Sequence, residues 1–220
     1  MPEAMDLATG IPQWVNDVAG AEPLSAYLRA LGRNATTVRV PEKTYEDDAP
    51  ASSWRERHLV VISHSPIHLV SLYAARVGPR TVSLAHHYVV RVDKDATTES
   101  TYDTKLGQSF KGLFVRSRTR LSFVGGRLAR QLQADVGLRS ALMKHLPKDD
   151  DVHIVPDLRR GLVRVVHVHP LAARRPLIRP DATSFHERFL PEGLLTALER
   201  IALHVRTVVP ARAPVAGHWA

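Results

Sequence analysis

The chain has no cysteine, which removes disulfides, thiolate metal sites and thiol nucleophiles together. It also has no apolar run approaching the roughly 18 residues of a membrane span. Met1 to Gly10 lacks the basic start and apolar stretch of a signal peptide. A cytoplasmic protein with no membrane partner is the expectation. A GxxxxGK[ST] phosphate loop is missing, as is the GxSxG elbow of hydrolases. Aromatic residues make up only 6% of the 220, and near the most basic segment just Phe110, Phe114 and Phe123 are available to stack on bases. Lysine is scarce beside arginine, a bias that a GC-rich genome produces as readily as selection for function does.

Acidic residues are missing locally as well. From Thr104 to Ala134 seven basic side chains occur with no aspartate or glutamate, and a second acid-free window separates Asp157 from Asp181. The overall charge is +8. Residues 1–53 carry eight acidic and four basic side chains, net −4, which leaves +12 for the remainder. Unneutralised positive charge repels itself unless an anion or an acidic surface lies nearby. The expected partner is therefore a polyanion, either nucleic acid or an acidic protein surface, the chain's own N-terminal segment included.

The remaining composition, 44% hydrophobic and 24% charged, is that of a chain with a real core. Apolar spacing predicts a helix over 23–32, and Glu42 to Ser53 is acidic and non-periodic. These features suggest an acidic N-terminal helical segment (1–41), a linker (42–53), a main domain (54–209) and a flexible tail (210–220). His58 to Ser63 reads as a buried strand, with Ser65 capping a helix that runs to Gly78. Strands are expected over 81–92, 101–106, 113–120, 152–155 and 162–169, the last two as a hairpin. Helices follow Gly125-Gly126, and a long amphipathic C-terminal helix is predicted over 191–207. The fold class is α+β, a mixed, largely antiparallel sheet of about five to six strands with helices packed on it.

Three constellations bear on function. Val115 to Arg130 places Arg116, Arg118 and Arg120 on an alternating strand, then Gly125 and Gly126, then a helix carrying Arg127 and Arg130. Arginine forks and free helix N-terminal amides match phosphate oxygens, so these seven residues are the candidate anion site. His167 and His169 flank Val168, so their imidazoles share one face of a strand and are candidate metal ligands. A third ligand would come from His86, His87, His153 or Asp157. The commoner explanation for such a pair is outward alternation on a half-exposed strand. Finally, Ser63, His64 and Ser65 sit at an element boundary, and the string VVISHSP resembles the histidine-bearing switch of ABC-type ATPases. That resemblance spans seven residues and would place His64 near a γ-phosphate; without a phosphate loop, ATPase activity is excluded.

The primary expectation is thus a non-enzymatic binding or assembly protein that requires no cofactor and meets a polyanion through its arginine face. Two alternatives stand beside it. One is a metal-dependent hydrolase of a phosphorylated substrate, built on His167 and His169. The other is a structural subunit that forms homo-oligomers through the stripe Leu194, Leu198, Ile201 and Val205.

Overall fold

A computed structural model describes residues 11–39, 53–55, 58–78, 81–93, 98–111, 117–172 and 181–208. Most of the expected linker (42–52) and all of the expected tail (210–220) lie outside the described residues. Nine strands are described: β1 Asn34–Arg39, β2 Ser53–Arg55, β3 His58–Ser63, β4 Leu69–Gly78, β5 Thr81–Arg91, β6 Thr104–Lys111, β7 Ser117–Gly125, β8 Asp151–Asp157 and β9 Leu162–Ala172. The helices are α1 Gln13–Ala19, α2 Ala21–Ala30, α3 Glu99–Tyr102, α4 Arg127–Ala134, α5 Val136–His145, α6 Ala182–Phe189 and α7 Glu192–Thr207, with a 3-10 turn at Leu158–Arg160.

Eight strands run in the order β1-β3-β4-β5-β9-β8-β6-β7, and β2 pairs with β4 on the edge that β3 also uses. The α+β class holds, but the sheet exceeds five to six strands. Every described pair is antiparallel, so the sheet is not mixed. The extra strands are β1, β2 and β4, and the last has a local cause. Leu69 to Gly78 forms β4, paired antiparallel with β5, and not the expected helix; residues 69–74 are buried without alternation, so the two-residue signature of a strand is absent from the sequence. Ser65 caps no helix; its Oγ accepts from the Ile67 N–H at 3.1 Å inside the β3–β4 turn. His64 turns the chain there with φ of 59°, a left-handed conformation uncommon outside glycine.

Alternation then sorts the side chains. Leu84, His86, Tyr88 and Val90 of β5 face the same side as Val163, Val165, His167 and His169 of β9, and all are buried. Helices α2, α4, α5 and α7 contribute Leu24, Leu28, Leu128, Leu132, Leu138, Leu142, Leu194, Leu198 and Ile201 to the main core on that side. A smaller cluster joins Trp14, Val15 and Val18 of α1 and Phe185 of α6 to Ala74, Val82, Leu84 and Leu171. Both β1 and α2 belong to the same sheet and core as the later elements. Asp135 ties two helices together: it caps α5 by accepting from Leu138 N–H at 2.9 Å and also accepts from Arg200 (2.6 Å) and His204 (2.8 Å) of α7.

Candidate metal centre

Pairing of β5 with β9 sets His86 opposite His167 and Leu84 opposite His169. All three histidines point into the helix-covered side and are 0% exposed. The His-x-His pair therefore does not alternate outward. Each of the three offers one ring nitrogen, and these nitrogens all lie within 4.8 Å of one another. Asp150, one residue before β8, completes the group: its Oδ2 lies 2.7 Å from His167 Nε2 and 2.9 Å from His169 Nδ1. The backbone holds Asp150 from two sides. Its N–H donates to Pro147 O (3.2 Å), and its carbonyl accepts from Gln108 Nε2 of β6 (3.0 Å).

Burial works against the charge on Asp150, yet hydrogen bonds from His167 and His169 outweigh it and hold the carboxyl below the ordinary aspartate range. Burial also drives His86 well below the usual imidazole value, helped by the neighbouring His169 and His167. For His169 burial and His167 outweigh the pull of Asp150, and its pKa falls to about 4. A buried carboxylate thus sits among imidazoles of which at least two are neutral near pH 7. Buried charge left without compensation is strongly unfavourable.

The proton arrangement follows from chemistry. An ionised carboxylate only accepts, so His167 Nε2 and His169 Nδ1 must both donate to it. The neutral His169 ring then carries its lone pair on Nε2, 3.2 Å from His86 Nδ1, which donates to it. That leaves His86 Nε2 and His167 Nδ1 buried with no hydrogen-bond partner among the described residues. Tyr88 Oη is a third such atom, and its ring stacks 6.2 Å from that of His86. Phe189 of α6 sets its ring edge-on to His169 at 5.0 Å. His186, also on α6, stacks on Tyr27 at 5.3 Å.

The arginine constellation is distributed differently. Arg116 lies outside the described residues, as do Arg174, Arg175 and Arg179. Arg118 and Arg120 stand on β7, where they pair with Phe110 and Ser109. Arg120 is exposed on the face opposite Leu121 and Phe123, which enter the core. Helix α4, bearing Arg127 and Arg130, packs its Leu128 and Leu132 on the core side instead. The sheet therefore separates Arg120 from Arg127 and Arg130 within the first acid-free window. In the second window Arg164 and Arg160 reach Asp157 at 2.8 and 3.7 Å.

Gly125 and Gly126 have a packing reason for their identity. A Cβ on Gly125 would lie 2.2 Å from the Asp103 carbonyl oxygen, and one on Gly126 2.1 Å from that of Ser100. Gly125 also takes φ of 137°, which side chains other than glycine rarely adopt. The Gly126 amide is already donated to Asp103 O at 2.6 Å.

Comparison with family models, curated proteins and solved structures finds no match to this chain. Its chemistry must therefore be read from the side chains.

Imidazole nitrogens suit zinc, copper, iron and nickel. Metal-ligating histidines typically donate their second nitrogen to a carboxylate, which fixes tautomer and ring orientation. Asp150 stands in that relation to His167 and His169. The 3.2 Å separation of His169 Nε2 and His86 Nδ1 matches the edge of about 3.3 Å that a tetrahedron of zinc–nitrogen bonds near 2.0–2.1 Å requires. Of the four third-ligand candidates named from sequence, His86 joins the pair. His153 points away, exposed and 3.3 Å from Asp151; His87 alternates to the other face, its ring 4.3 Å from that of Tyr73; Asp157 binds arginines. Sequence reasoning missed Asp150, which sits in a run of three aspartates that reads as a solvated turn.

Proposed function

We propose that this chain is a metal-binding protein whose sheet carries one divalent transition ion of the zinc class, ligated by His86, His167 and His169, with Asp150 as the orienting carboxylate. The observation that carries the reading is a buried carboxylate engaging two of three fully buried imidazoles whose ring nitrogens cluster within 4.8 Å. A cation balances the buried Asp150 carboxylate, takes the unpartnered His167 Nδ1 and replaces the His169–His86 hydrogen bond, for which His86 moves its proton from Nδ1 to Nε2. Complete burial favours an enclosed centre over a hydrolase that admits phosphorylated substrates. Metal analysis of protein purified without chelator tests the reading: a stoichiometric transition metal is expected, lost on His167→Ala with His169→Ala. Substoichiometric metal that those substitutions leave unchanged eliminates it.

A second reading retains the polyanion partner. Lys105 and Arg120 are both exposed on the sheet face away from the helices, beside the partly exposed Phe110. A phosphate backbone laid along β6 and β7 would find cations and one aromatic ring there.

A further inference from the structure

On the footing of the metal reading, we infer that the ion keeps one position for a small exchangeable ligand, water or hydroxide at rest, seated against Tyr88 Oη. Three imidazoles leave one apex of a tetrahedron, the arrangement of zinc sites that retain an open position rather than a closed ligand set. Asp150 is engaged as the orienting group instead. Its Oδ2 already accepts from both His167 and His169, and its backbone is held by Pro147 and Gln108.

Tyr88 supplies the independent observation. It lies two residues beyond His86 on the same face of β5, is 0% exposed, and its hydroxyl has no hydrogen-bond partner among the described residues. Buried hydroxyls ordinarily find a partner. The Tyr88 ring stacks 6.2 Å from that of His86, on the face of β5 that carries the cluster. A protonated phenol both donates to a metal-bound oxygen or nitrogen and accepts from a bound water.

Burial also fixes the size of the ligand. With His86, Tyr88, His167 and His169 all at 0% exposure, the position is walled by buried side chains and suits only ligands of about one to three heavy atoms, from water or hydroxide up to a linear anion. A nucleotide or sugar phosphate is too large.

Cobalt(II) and azide test this together. The full chain, stripped of metal and loaded with cobalt(II), is expected to show visible ligand-field bands that azide shifts saturably. Tyr88→Phe is expected to bind cobalt(II) with unchanged stoichiometry while its azide affinity changes roughly tenfold, the effect of one lost buried hydrogen bond. Stoichiometric cobalt(II) with bands indifferent to azide overturns the inference and leaves the metal reading standing, since a protein group such as a reoriented Asp150 then fills the fourth position. Azide binding identical in wild type and Tyr88→Phe removes the role of Tyr88. Failure to bind cobalt(II) at all sinks the metal reading and the inference with it.

Discussion

The seam between β5 and β9 and the arm formed by β6 and β7 both carry polar side chains at alternate strand positions, yet water reaches only one of them. On the arm, Lys105 and Arg120 are exposed on the face away from the helices, where a cation keeps its hydration and needs no partner. At the seam, His86, His167 and His169 are sealed beneath α6, α7 and their neighbours, where each polar atom must be satisfied or be costly. Exposure, more than residue count, decides how much a polar cluster says about function. Seven basic residues in an acid-free window remain compatible with a merely solvated surface, whereas three histidines in a dry interior call for an explanation.

Removing the carboxylate is the harshest test of that contrast. Asp150→Ala in metal-free protein is expected to cost about 3–5 kcal/mol, the usual range for breaking a buried hydrogen-bonded charge cluster, read from the urea unfolding midpoint. A loss below about 1 kcal/mol would mean that the seam tolerates unpaired polar groups and the contrast fails.

Acid sharpens the comparison with a smaller effect. Burial, with His169 beside it, holds His186 at a pKa of about 4, against about 6.5 in an unfolded chain. Its folded pKa is depressed, so its contribution is complete above pH 6.5 and shrinks as the unfolded state takes up protons first, reaching a loss of about 3 kcal/mol by pH 4. His86 and His169 shift in the same direction. Asp150, also depressed, loses its contribution only at lower pH still. Chemical denaturation at stepped pH should show this slope, and His186→Leu should flatten part of it; an unchanged slope would assign the acid sensitivity elsewhere.

The smallest effect belongs to the arm. Lys105→Ala with Arg120→Ala should leave stability within about 0.5 kcal/mol, as surface substitutions do. If a polyanion does bind there, the same pair abolishes the steeply salt-dependent retention on mixed nucleic acid that counter-ion release would give the parent protein. A parent protein with no such retention at low ionic strength removes the polyanion reading outright.

Sequence pattern reached some of this and not the rest, for physical reasons. The alternation of β5 is plain from residues 81 to 91 because Val82, Leu84, Tyr88 and Val90 recur on one side, broken only by His86. In β9 both Val163/Val165 and Val166/Val168 are apolar, so spacing shows that His167 and His169 share a side but not which side the helices cover. The adjacent His86 and His87 take opposite faces, and nothing local distinguishes the ligand candidate from its neighbour. β4 escaped detection because burial on both faces erases the strand period. Asp150 was illegible for another reason: its role depends on pairing Asp151 with Val168, a contact between segments that local composition cannot reveal.

His86 and His169, whose ring nitrogens touch, stand 83 positions apart in the chain, and only the docking of β9 onto β5 unites them. Such long-range pairing closes late and slowly in folding. A nascent polypeptide still emerging from the ribosome consequently holds isolated imidazoles, and the cluster that the proposed ion would occupy exists only once the sheet has been threaded into place.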